Sequence, residues 1–192
     1  MTVAALYIDP RGPYPKLGDV DCWDEARDAT RYDGPHPIVA HPPCGPWGPL
    51  RGQCFGALRD LGPLAVDQVR RWGGVLEHPA FSRLWDAMDL PRPSELPDEY
   101  GGWSIEVNQC AWGHVAKKPT WLYFVGVPRT AVVPRTGGVV THTIGGGSGP
   151  GSYRGHIGGP RLKVCSGAQR RRTPPDFAAW LVGLARMAYR VQ

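Results

Sequence analysis

Val39-Ala40-His41-Pro42-Pro43-Cys44 is the stretch on which the reading of the fold turns. Residues 37–41 read as a short buried strand that stops at a Pro-Pro pair and presents a cysteine at its carboxyl end. Paired prolines fix φ and remove two backbone donors, so the loop is stiff and holds the thiol in place. In open α/β sheets, ligands and reactive groups collect just outside the carboxyl ends of the strands. A structural cysteine beside a proline turn accounts for this segment equally well, because reactivity depends on exposure and pKa. The segments on either side decide between the two.

Upstream, residues 2–8 form a near-continuous apolar run ending in Asp9-Pro10, which suits a central parallel strand buried on both faces. Residues 23–30 give one short helix. Downstream, Pro63 opens a helix as an N1 proline, Leu64, Val66, Val69 and Trp72 supply its apolar positions, and Gly73-Gly74 ends it. Residues 75–77 read as a third core strand, followed by a helix over 80–89 (Phe81, Leu84, Trp85, Met88) that Pro91 stops. Residues 102–126 read as two strands. At the end, Thr173 is placed as an N-cap with Pro174 at N1, and Phe177, Trp180, Leu181, Leu184 and Ala188 form one apolar stripe. Strands interleaved with helices predict one α/β layered domain over 1–192, Rossmann-like with a mostly parallel sheet, carrying a flexible Gly-rich loop at 137–160.

At 192 residues the chain is long enough to bury a real core. The net charge of +5 is a mild basic excess, compatible with nucleic acid but shared by many proteins of other function. The basic residues concentrate at Lys117-Lys118 and from Arg154 through Arg172. Five cysteines without a paired spacing, and an amino terminus unlike a signal peptide, predict free thiols in a reducing cytoplasm. No apolar run approaches the ~20 residues that a membrane helix needs.

Four segments in order carry a family resemblance. They are Pro42-Pro43-Cys44, Glu77-His78-Pro79, Gln109-Cys110-Ala111-Trp112-Gly113 leading to Lys118-Pro119-Thr120, and Arg172-Thr173-Pro174-Pro175. In this order they resemble the DNA cytosine-C5 methyltransferases, and in particular the small phage-type members, over about residues 37–125 and 168–190. The resemblance implies a methyltransferase-type fold acting on DNA or a pyrimidine nucleotide. It implies that Cys44 adds to C6 of a flipped pyrimidine, while Glu77, kept protonated by burial, hydrogen-bonds N3. Asp9 and Pro43, at the ends of the first two core strands, become the candidate contacts to S-adenosylmethionine. His41, His78, Lys117, Lys118, Arg154, Arg170 and Arg172 become candidate substrate or DNA contacts. His78 stands where the family commonly has asparagine.

The chain departs from the family upstream. The first strand runs into Asp9-Pro10-Arg11-Gly12-Pro13 without the glycine fingerprint, and 34 residues separate Asp9 from Cys44, room for one minimal βαβ unit of about 30 residues. A standard S-adenosylmethionine pocket is therefore not expected, and the long target-recognition part between Tyr123 and Arg170 is missing too. The fold is read as minimal and truncated. Two other readings stay open: modification at C5 by the same adduct without S-adenosylmethionine, or a non-catalytic DNA- or base-binding module. His41 and Cys44 with Cys110 and His114 have ligand-competent spacings for zinc, but the family resemblance already accounts for the second pair, and no metal site is assigned.

Overall fold

The computed structural model describes residues 1–48, 57–144 and 162–188. It is an α/β structure built on a six-stranded sheet: β1 (Val3–Leu6), β2 (Val20–Trp23), β3 (Ile38–Ala40), β4 (Gly74–Pro79), β5 (Trp103–Asn108) and β6 (Pro119–Val125). The order across the sheet is β2-β1-β3-β4-β6-β5. The first four strands are mutually parallel; β6 runs antiparallel to both its neighbours, β4 and β5. This mostly parallel sheet with helices on its faces is compatible with a Rossmann-like layout. Its order reverses at β1 and β3, and such a switch point opens a crevice outside the carboxyl ends of the strands.

Two cores flank the sheet, and strand alternation assigns residues to each. Val3, Ala5, Val39 and Val75 face α4 (Pro175–Ala185), whose Phe177, Leu181, Val182 and Leu184 are buried against them. Ala4, Leu6, Ala40 and Leu76 face α1 (Leu61–Trp72) and the one-turn α2 (Leu84–Ala87). Burying each large apolar side chain is worth about 1.5–3 kcal/mol, so these two layers are the main support of the sheet edge described below. Gly73 and Gly74 end α1 and begin β4, both at positive φ. A Cβ on Gly74 would stand 2.0 Å from the Ile38 carbonyl oxygen, so only glycine lets the chain enter the sheet there.

Several boundaries differ from the expectations. The predicted helix over 23–30 is instead the end of β2 followed by turns. Asp24 accepts from the Arg27 amide at 2.9 Å, Asp28 sits at φ 61°, and its carboxylate caps a 3-10 turn at Ala29–Arg31. Local aspartate-to-backbone bonds thus outcompete a helix here. The helix over 80–89 shrinks to α2 because Phe81 adopts φ 63° and the Ser82 hydroxyl accepts from the Leu84 amide at 3.1 Å. α1 begins at Leu61, two residues before Pro63, and α4 has Pro174 as its N-cap and Pro175 at N1, one residue later than expected. Within the predicted 137–160 loop, His142–Thr143 (β7) pairs in parallel with Lys163–Val164 (β8). Residues 145–160 lie outside the described residues. The short α3 (Gly167–Arg171) is held by a capping box between Ser166 and Gln169.

Candidate active site

One edge of the sheet gathers the chemistry. β1, β3, β4 and β5 all end there and the antiparallel β6 starts there, because Pro79 pairs with Thr120 and Asn108 with Pro119. The edge therefore carries Asp9, His41 to Cys44, Glu77 to Pro79, Gln109 and Lys117-Lys118. Cys44 is exposed and opens a 3-10 turn at Gly45–Trp47, its carbonyl accepting from the Trp47 and Gly48 amides. The other described cysteines are less accessible: Cys110 and Cys165 are buried and Cys22 is half-buried, while Cys54 lies outside the described residues.

Beside that turn runs a hydrogen-bonded chain. The Tyr14 hydroxyl meets His41 Nε2 at 2.5 Å, His41 Nδ1 meets Glu77 Oε2 at 2.9 Å, and Gln109 Nε2 donates to Glu77 Oε1 at 2.8 Å and to Thr120 Oγ1 at 3.0 Å. Glu77 is only 9% exposed. Burial raises its pKa, but the His41 hydrogen bond and the charges of Lys118, His41 and His78 outweigh that and hold the carboxyl at about 2. Glu77 is thus ionised and can only accept, so Nδ1 of His41 carries the proton it donates. In the neutral ring Nε2 is then the acceptor of the Tyr14 hydroxyl, which burial, with the charges of Glu77 and Cys22, keeps protonated.

This geometry corrects two expectations. A protonated Glu77 donating to N3 is not what the site holds, because both carboxylate oxygens accept from protein donors. Glu77 orients His41 instead. His78, expected as a substrate contact, has no exposed surface and packs beside Trp85, on the sheet face opposite Glu77. Among the described residues neither of its ring nitrogens has a hydrogen-bond partner in good geometry, although the Pro43 carbonyl lies close enough to favour the protonated ring. Burial prevails and lowers its pKa to about 4.

The His78 shift has a consequence for stability. Between the ordinary value of 6.5 and the folded value of about 4, the unfolded chain binds the proton and the folded chain does not. Stability therefore falls as pH drops through that window, by on the order of 3 kcal/mol. His78→Leu is expected to remove this fall in urea titrations while costing little near neutrality, since it replaces a ring without hydrogen bonds. An unchanged slope would refute the assignment.

The remaining candidates scatter around the edge. Asp9 is exposed and bound to Arg11, which donates from its amide at 2.9 Å and from Nε at 3.2 Å and holds the carboxyl below its ordinary range. Pro43 is half-buried between His41 and Cys44. Lys117, Arg170 and Arg172 are exposed, and Lys118 is half-buried with its charge acting on Glu77. α3 is tied to the edge by His114 Nε2, 3.0 Å from the Gln169 carbonyl, and Arg171 and Arg172 act electrostatically on Asp9 and His114. Arg154 lies outside the described residues. The zinc spacings do not converge. His114 is used by Ala116 and Gln169, the Cys110 sulfur by the Gly137 carbonyl, and no group of three or more ligand-type side chains comes together among the described residues.

Three members of the hydrogen-bonded chain, Tyr14, Gln109 and Thr120, were not foreseen; Thr120 closes the Lys-Pro-Thr segment. Gln109 stands inside the Gln-Cys-x-x-Gly segment, so its signal was present in the motif. Tyr14 had none beyond its place between Pro13 and Pro15. No protein-family model, curated protein or solved structure matches the chain. No helix among the described residues is long and apolar enough to cross a membrane.

Proposed function

We propose that the protein is a DNA-modifying enzyme of the cytosine-C5 methyltransferase type, acting on a pyrimidine through a covalent adduct between the Cys44 sulfur and C6. The observation that carries this reading is the exposed Cys44 thiol at the sheet's carboxyl edge, three residues after a His41 whose orientation Glu77 and Tyr14 fix. The basic side chains of Lys117, Lys118, Arg170 and Arg172 on the same rim suit a phosphate backbone.

The thiolate forms the S–C6 bond, and the C5=C6 electron pair moves onto C5. A solvent proton bonds to C5; loss of the original C5 proton restores the double bond and expels the thiolate. This cycle balances with water alone and exchanges the C5 hydrogen. A one-carbon electrophile that carries its own leaving group, taken up in place of the solvent proton, would leave C5 substituted once its leaving group, the C5 proton and the thiolate have departed. The target base must leave the stack for any of this to happen.

S-adenosylmethionine fits the chain poorly. No helix follows β1: the chain turns through Asp9 to Gly12, closed by the Gly12 amide on the Asp9 carbonyl at 2.8 Å, and passes by a 3-10 turn into β2. The backbone amides that a glycine loop and helix N-terminus offer a cofactor are not presented there. A cytosine-containing single strand incubated with the protein in deuterated water, without S-adenosylmethionine, is expected to gain deuterium at C5 by mass spectrometry. Binding of the strand without exchange would instead establish a non-catalytic base-binding module.

A further inference from the structure

Phe81 is the most anomalous side chain on this edge. Its φ of 63° places a bulky aromatic residue in the left-handed region, where such residues are rare and strained, and it is nevertheless 73% exposed. A strained backbone that leaves an apolar ring largely in solvent recovers only its contact with Trp121 on folding, and strain of this kind clusters at functional sites. The turn is fixed on both sides. The Ala80 amide donates to the Pro119 carbonyl at 3.0 Å, beside Lys117-Lys118, and the Arg83 amide donates to the Trp47 carbonyl at 3.1 Å, in the turn that Cys44 opens. Phe81 thus stands between the nucleophile's turn and the basic start of β6.

The ring also has a rigid floor. Trp121 lies 5.2 Å from it, centroid to centroid, and is itself anchored by donating Nε1–H to Glu106 at 3.0 Å and by edge contact with Trp85. An aromatic face held firm from behind, exposed in front and one hydrogen bond from the basic start of β6 is what an unstacked nucleobase recognises.

We propose that Phe81 is the stacking platform for a nucleobase neighbouring the pyrimidine that Cys44 attacks, in a single-stranded or locally opened DNA strand. The proposal rests on the DNA-modifying reading and names the substrate form that reading requires. The lysines hold phosphate, and the aromatic ring replaces the stacking that the strand loses.

The test uses a short single-stranded oligodeoxynucleotide carrying 2-aminopurine next to the target cytosine, and a matching strand that is abasic at that position. The full-length protein is expected to quench the 2-aminopurine. Phe81→Ala should weaken binding of the first strand about 10-fold or more, leave the abasic strand's affinity unchanged, and abolish the quench; Phe81→Trp should retain both. Phe81→Gly should lose binding as Ala does yet melt at a higher temperature, because both remove the ring and only glycine relaxes the backbone. Equal affinity of wild type and Phe81→Ala, with C5 exchange intact, overturns the platform and leaves the enzyme reading standing. Absence of both oligonucleotide binding and exchange in the wild type overturns both.

Discussion

Replacing Cys44 by serine is expected to return C5 exchange to the uncatalysed background. The substitution keeps the size and position of the side chain, on a turn whose backbone bonds to Trp47 and Gly48 do not involve the sulfur. What changes is the nucleophile: a thiolate is accessible near neutral pH and intrinsically reactive, whereas a serine hydroxyl needs a strong adjacent base to reach the same state. His41 does not serve as that base here, since its two ring nitrogens are engaged by Glu77 and Tyr14. A parallel measurement needs no substrate. Alkylation mapped by mass spectrometry should modify Cys44 ahead of Cys110 and Cys165, which are buried, and ahead of Cys22, whose thiol burial pushes up. Exchange surviving in Cys44→Ser, or Cys44 reacting no faster than those three, would remove it as the nucleophile.

His41→Ala is expected to be the most destabilising change in the site, costing about 3–5 kcal/mol near neutral pH. It takes the Nδ1–H donor from a carboxylate that is 9% exposed and the acceptor from a buried tyrosine hydroxyl. The pH dependence separates this effect from simple loss of packing. In the wild type, Glu77 has a folded pKa of about 2 against an ordinary 4.5, so its stabilising contribution is full above 4.5 and is lost as pH falls towards 2. Without His41, burial still opposes the charge and its largest counterweight is gone, so the folded pKa rises and the variant no longer loses stability in that window. The stability gap between wild type and His41→Ala should therefore narrow as pH drops from 4.5 towards 2 in denaturant titrations. A gap independent of pH would assign the loss to packing alone.

Much of the site was legible because its residues close strands. A strand buried on both faces reads as an apolar run, and the first polar residue after it marks the carboxyl edge. Val39-Ala40 before His41 and Val75-Leu76 before Glu77 both follow that rule, so the nearness of the Cys44 loop and Glu77 needed only that the two strands be neighbours. The register Val39 to Val75 and Ala40 to Leu76 makes them so. Helices were legible where an apolar stripe ran for three turns, as in α4. They were not where short polar side chains bonded their own backbone, as at Asp24 and Asp28, or where a residue took a left-handed φ, as at Phe81.

Strands β1, β3 and β4, helices α1 and α4, the stiff Pro-Pro-Cys turn and the polar residues that end those strands were legible in the sequence, because each is encoded within a few neighbouring positions, whereas β2 was not, since its end reads as a helix. Tertiary structure decided what those residues are to one another. Glu77 read alone is a buried carboxyl expected to hold its proton; set 2.9 Å from His41 and 2.8 Å from Gln109, it is a carboxylate that orients an imidazole. His78, next to it in the chain, points to the other face of the sheet and into the core. Tyr14 and Gln109 join the site from positions 27 residues before His41 and 32 residues after Glu77. The physical reason is that a pKa and a hydrogen-bond partner are set by all the groups within a few ångströms, and in a parallel sheet those groups come from strands far apart in the chain.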